Sequence, residues 1–140
     1  MNRRFFEIVL QIKRTCVKTE ETIRSEFHIS EAELNGLLAV HAGESISGSE
    51  FSKRMDLSPS RGSRVLARMV RRDFLKSVQI PENRRRVTIS LTARGKRIKR
   101  DLEVKMETCG RSILERLPIE QRTKVVHSFD LLEKVFASKP

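Results

Sequence analysis

The sequence has no run of about eighteen or more apolar residues, so no segment is long enough to cross a bilayer as a helix. Its start, Met1 to Arg14, scatters charges among the apolar positions instead of separating a basic head from an apolar block, unlike a secretory leader. Only two cysteines occur, Cys16 and Cys109, and neither has CxxC or Cys/His ligand spacing. A disulfide framework is therefore excluded, and reduced thiols are expected. His28, His41 and His127 are too scattered to suggest a metal site. No glycine-rich phosphate loop, nucleophile elbow or paired-carboxylate arrangement is present. An enzyme is not expected, nor a cofactor. These absences predict a cytoplasmic protein without a membrane partner. Its 140 residues allow one compact domain, or one domain plus helices that need a partner chain to cover them.

Acids are also scarce where bases are dense. From Phe51 to Arg100 there are sixteen Lys and Arg against three acids, a balance of +13, which leaves −2 for the rest of a chain whose net charge is +11. Basic charge confined to one stretch is the footprint of a polyanion-binding face, since a merely soluble surface mixes signs along its whole length. Charge alone does not choose between nucleic acid and a membrane surface.

Periodicity supplies the elements. Arg3 to about Glu26 predicts a helix with two apolar stripes, Phe5, Val9, Ile12 and Cys16 on one and Phe6, Leu10 and Val17 on the other. Ser30 with Glu33 is a capping box opening a second helix, whose apolar face is Leu34, Leu37, Leu38 and His41 and whose end is set at Gly43. Ser47 with Glu50 predicts another capping box and a short helix carrying Phe51 and Met55 inward, to about Asp56. Ser58 and Pro59 restart helix at once, serine as N-cap and proline at the first helical position. Two helices joined so tightly form a helix-turn-helix.

In the second of them, Pro59 to about Asp73, Val65, Leu66, Met69 and Val70 face a core. Ser60, Arg61, Ser63, Arg64 and Arg68 lie opposite, with the three guanidiniums along one stripe. Two runs, Leu75 to Ile80 and Arg86 to Leu91, in which Val78 and Ile80, then Val87, Ile89 and Leu91, alternate with polar residues, predict a hairpin with its tip at Pro81 to Arg85. Thr92 caps a long helix through Arg116, and Pro118 begins a last one carrying Val125, Phe129, Leu132 and Phe136 at helical spacing. The first helix and the last two have more apolar surface than a small winged domain can cover, so a helical dimerisation layer is expected.

In this order the elements resemble the MarR (multiple antibiotic resistance regulator) family over nearly the full length. The matching stretches are Ser49-Glu50-Phe51-Ser52, Leu57-Ser58-Pro59-Ser60, Ser63 to Met69, Asn83-Arg84-Arg85-Arg86-Val87 and Leu91-Thr92-Ala93-Arg94-Gly95. The implied fold is mainly α with a small β-hairpin wing. Residues 30–92 would form the winged helix-turn-helix, and residues 1–28 with 93–138 the dimerisation layer. The implied function is transcriptional regulation, most simply repression, by a homodimer on an inverted repeat of double-stranded DNA, with release by a small aromatic effector.

Ser58, Pro59, Ser60, Arg61, Ser63, Arg64 and Arg68 are the expected contacts from the recognition helix, and Asn83, Arg84, Arg85 and Arg86 those from the wing. Arginine offers guanine two donors, whereas hydroxyls and a helix N-terminus suit phosphate. Two positions depart from the family pattern. Gly62 replaces a branched apolar residue, and either loosens the helix or marks a close approach. Asn83 stands where the wing has an acid, which leaves open which arginine enters the minor groove. Arg94, Lys96, Arg97, Lys99 and Arg100 either flank DNA or are a solvated helix start.

A peroxide-sensing branch of the family uses a reactive cysteine among tyrosines. This chain has no tyrosine, so Cys16 is expected to be a packed, inert thiol. Two alternatives stay open, a nonspecific architectural DNA binder and a winged-helix protein-interaction adaptor.

Overall fold

The computed structural model describes residues 1–138. Along the chain run α1 (Asn2–Phe27), α2 (Glu31–Ala39), β1 (Ile46–Ser47), α3 (Gly48–Arg54), α4 (Pro59–Arg71), β2 (Leu75–Ile80), β3 (Asn83–Leu91), α5 (Ala93–Leu114) and α6 (Ile119–Ala137). The chain divides within α5 into two compact units, Met1–Leu102 and a second from Glu103 on. This is a mostly helical winged helix-turn-helix with a small antiparallel sheet.

In the first unit α1 ends at His28, a left-handed residue whose N–H returns to the carbonyls of Arg24 and Ser25. Only Ile23 of α1 is buried, while Phe5, Phe6, Ile8, Leu10, Ile12 and Val17 are exposed. Both predicted stripes thus lie open in the single chain. Cys16, predicted to pack, is exposed with them.

The Ser30–Glu33 capping box forms in both directions. The helix stops at Ala39, four residues before the predicted end at Gly43. Val40 turns extended there and is fully buried, taking the place predicted for His41, which points outward. Gly43, at φ 83°, serves the turn that follows. What closes α2 lies about sixty residues away. Buried Lys99 on α5 donates its Nζ to the carbonyls of Leu37, Leu38 and Val40 at 3.1, 3.2 and 2.8 Å, satisfying carbonyls that a helix end leaves open and placing a cation at the negative end of the dipole.

The core beneath α2, α3 and α4 is built from Leu37, Val40, Phe51, Met69, Phe74, Leu75, Ile89 and Leu102. Ser47 caps α3 by accepting the Glu50 N–H at 3.1 Å. The predicted reciprocal bond gives way to another, because the Glu50 carboxylate accepts from Arg54 Nε at 3.0 Å. Met69 is buried as predicted, Val65 and Leu66 are half-buried, and Val70 is exposed at the rim.

The sheet has order β1-β3-β2, so the predicted hairpin gains a third strand. Ile46 pairs with Ile89 and Ser47 with Thr88, which ties the start of α3 to the base of the wing. β2 lies at the edge, and Val78, one of its alternating apolar residues, is exposed.

The Leu-Thr-x-x-Gly motif has a mechanical reason. Thr92 caps α5 by accepting the Gly95 N–H at 2.9 Å, while its own hydroxyl donates to the Asp73 carbonyl and its N–H to the Phe74 carbonyl. α5 thereby starts hard against the end of α4. A Cβ on Gly95 would sit 2.0 Å from the Phe74 carbonyl oxygen, so only glycine fits there.

In the second unit, the turn after α5 is held by Arg122, which donates to the carbonyls of Leu117 and Glu115 at 3.2 and 3.3 Å. No residue of α6 is buried, and Phe129 and Phe136 of its predicted apolar side are exposed, as is Val135.

Gly95→Ala should cost about 1–3 kcal/mol, because backbone must move to admit the methyl. Urea unfolding followed by circular dichroism checks this, and an unchanged midpoint would contradict the close approach.

Candidate nucleic-acid interface

The interface is assembled from α3, α4 and the hairpin. Ser58 Oγ accepts the Arg61 N–H at 3.4 Å, and Pro59 occupies the first turn of α4 without wasting a donor. Gly62 proves to be a point of close approach. A Cβ there would lie 1.9 Å from Ser52 Oγ and 3.2 Å from the Ser52 Cα, so α3 and α4 cross almost backbone to backbone. The missing side chain sets the depth at which α4 sits on α3. On the outward face Ser60, Arg61, Ser63, Arg64 and Arg68 are all exposed, as are Ser58 and Pro59.

The wing turns at Pro81 and Glu82, and Asn83 to Arg85, predicted as part of the tip, already belong to β3. Gln79 pairs with Val87, but Ile80 pairs with Asn83. Arg84, Arg85 and Arg86 are looped out between these two pairs, and all three are exposed. Asn83 Oδ1 accepts the backbone N–H of Arg85 at 3.1 Å. The amide at this position therefore shapes the arginine loop through its backbone, and not by gripping a guanidinium as an acid would.

Between α4 and the wing lies an open groove of about 530 Å³, with Ser47, Ser49, Pro59, Ser63, Arg85 and Arg86 on its walls. It brings together Pro59 and Ser63 from one predicted set and Arg85 and Arg86 from the other. Arg61, Arg64, Arg68 and Arg84 lie outside its lining, as do Ser58, Ser60 and Asn83. Ser47 and Ser49 were not predicted. In the sequence Ser47 reads only as the cap before Glu50 and Ser49 only as part of the Ser49-Glu50-Phe51-Ser52 stretch, and neither reading points to a groove.

Two groups stand out among the cations of the basic stretch. Arg54 is engaged internally by Glu44, by Glu50 and by the Ala39 carbonyl. Arg72 is held by Glu33 at 2.7 Å, and Lys99 by the end of α2. These three are structural. Among the described residues, no ion pair or side-chain hydrogen bond engages the guanidinium of Arg61, Arg64, Arg68, Arg84, Arg85 or Arg86. Exposed like charges clustered without counter-charge repel one another, and the arrangement suits an anion supplied from outside. No group of His, Cys, Asp and Glu among the described residues could hold a metal ion, and no described helix is long and apolar enough to cross a membrane.

Residues 29–87 match the model of the MarR family, and that span runs from the start of α2 through the arginine loop. This stretch is similar to the MarR family domain. α4 and the arginine loop of the wing lie within the matched span.

Solved structures show the same fold across both units. Streptococcus pneumoniae FabT in complex with DNA superposes with a TM-score of 0.86 at 18% identity, covering 98% of each chain. The PcaV transcriptional regulator from Streptomyces coelicolor, in complex with its natural ligand, gives 0.67 at 22% identity over 91% of this chain and 90% of that one. NadR in complex with 4-hydroxyphenylacetate gives 0.74 at 15% identity over 94% and 91%. Comparison with curated protein sequences gives no match.

Beside the interface, the hydrogen bond from Arg54 and then that from the His41 N–H hold the Glu44 carboxyl at about 2, below its ordinary 4.5. A depressed carboxylate stabilises the fold fully above its unfolded value and loses that contribution as pH falls through the folded one. The gap in urea midpoint between wild type and Glu44→Gln should therefore narrow as pH drops from 4.5 toward about 2. A gap constant across that window would contradict the brace.

Proposed function

We propose that this protein is a homodimeric, sequence-specific repressor that binds an inverted repeat of double-stranded DNA and is released by a small aromatic effector. The observation that carries the reading is the set of unengaged guanidiniums on α4 and in the looped-out wing, flanking a single groove.

Their chemistry divides naturally. Arg61, Arg64 and Arg68 project from one side of a helix slim enough for the major groove, where arginine pairs with guanine O6 and N7. Ser58, Pro59, Ser60 and Ser63 bring hydroxyls and a helix N-terminus to the phosphates, which fix register without reading sequence. Arg84, Arg85 and Arg86, on a loop shaped by Asn83, suit the narrow minor groove of A·T-rich flanks, where the potential is most negative.

Two such units are expected because the chain leaves large apolar surface on helices outside the winged part. Phe5 and Phe6 of α1 are 48% and 61% exposed, and Phe129 and Phe136 of α6 are 51% and 69% exposed. Joined through residues 1–28 and 93–138, two copies would place their α4 helices in successive major grooves about 34–36 Å apart. The bound 4-hydroxyphenylacetate of NadR supports an aromatic effector for a fold of this kind. Such a ligand releases DNA only if it prefers a dimer whose helix spacing does not match the site.

An architectural binder would keep the basic face but read no sequence. Arg64→Ala should lower affinity roughly 10- to 100-fold for a selected site while altering preference at particular base pairs. Arg85→Ala should instead lower it most on duplexes with A·T-rich flanks. Anisotropy titrations on matched duplexes separate the two, and equal losses on every duplex would favour the architectural reading.

A further inference from the structure

Arg72 closes α4, and its guanidinium engages two other elements at once. Nη1 donates to Glu33 Oε2 at 2.7 Å and Nη2 to the His28 carbonyl at 3.1 Å, while the guanidinium carbon sits 4.8 Å from the centre of the Phe74 ring. Glu33 is buried, and the same oxygen also accepts the Ser30 N–H of the capping box at 2.9 Å. His28 is the left-handed residue that ends α1. One planar fork therefore clasps the end of α4 to the end of α1 and the start of α2.

The geometry restrains direction as well as distance. A guanidinium directs its donors along fixed axes, so satisfying both acceptors and lying over a ring leaves α4 little freedom to swing about its C-terminal end. A buried carboxylate stripped of its partner is costly, which keeps the clasp closed when force is applied at the other end of α4.

We infer that Arg72 is a positioning residue for operator recognition, and that its clasp sets the half-site spacing the dimer accepts. This rests on the dimeric reading above, in which α1 belongs to the layer between subunits and α4 reads DNA. In such a dimer the angle between α1 and α4 fixes the separation of the two reading helices. Arg72 touches no base. Its effect is on where Arg61 and Arg64 arrive.

The test uses the full-length protein and a duplex selected from a random pool by the wild type, rebuilt with one base pair added or removed at its centre. Each such change displaces a half-site by about 3.4 Å and rotates it by roughly a tenth of a turn. Wild type should lose about thirtyfold or more in affinity on either altered spacing, within the range a mismatch commands. Arg72→Lys keeps the charge beside Glu33 but cannot hold both acceptors in one plane, and Glu33→Gln keeps the capping oxygen while weakening the clasp from the other side. Both variants should bind the original duplex less tightly yet lose under about fivefold on altered spacing. A merely structural role would weaken binding to all three duplexes by the same factor, and that result would overturn the inference. Wild type that selects no sequence would overturn the proposed function and the inference together. Wild type that selects one, with variants as strict in spacing as itself, would overturn the inference alone.

Discussion

α4 leaves the body at Asp73 and Phe74, and the start of α5 and the guanidiniums of Arg72 and Arg94 are all held at that exit. The Phe74 N–H returns to the Met69 carbonyl, closing α4, and the Asp73 and Phe74 carbonyls receive the Thr92 hydroxyl and N–H that begin α5. The Phe74 ring is buried, with the guanidiniums of Arg72 and Arg94 4.8 and 5.4 Å from its centre. Asp73 itself sits at φ 58°, a left-handed conformation that an aspartate tolerates better than most residues. From this junction the sheet, α5 and the clasp to α1 and α2 all diverge. The N-terminal end of α4 is therefore held by contacts made at its opposite end, together with the close crossing at Gly62.

The same economy governs charge. A domain this basic has to hold itself together against its own repulsion, and it does so by placing its few acids where they also perform a second task. Glu33 caps α2 and fixes Arg72, while Glu50 and Glu44 share Arg54 across the α2–α3 connection. Lys99 needs no acid, because helix-end carbonyls supply the partial negative charge. Among the guanidiniums without an ion pair or side-chain hydrogen bond are those that face outward from α4 and the wing, and a polyanion docking on them would gain binding energy through release of the counterions it displaces.

What was legible in the sequence was whatever local chemistry determines. Ser30 with Glu33, Ser58 with Pro59 and the turn between α3 and α4 rest on interactions a few residues long and formed where expected, and the hairpin formed with its second strand starting three residues early. The arginine stripe was legible because helical period alone places Arg61, Arg64 and Arg68 together. Tertiary competition hid the rest. Nothing near Gly43 announces that Val40 will be buried and end α2 early, since Lys99 is remote in sequence. Two residues of β1 are too few to show alternation. Three looped-out arginines look like a longer hairpin tip until the register of Ile80 with Asn83 is known. Cys16 looked internal because its stripe is apolar, and one chain leaves that stripe uncovered.

The central claim is that this basic face reads sequence and does more than attract phosphate. Fluorescence anisotropy across a salt series, with the DNA upstream of the protein's own gene against a scrambled duplex of equal composition, measures it directly. The account predicts tight binding that exceeds the scrambled control by about a thousandfold or more, with both affinities falling as salt rises. Absence of binding to either duplex at low salt would contradict it.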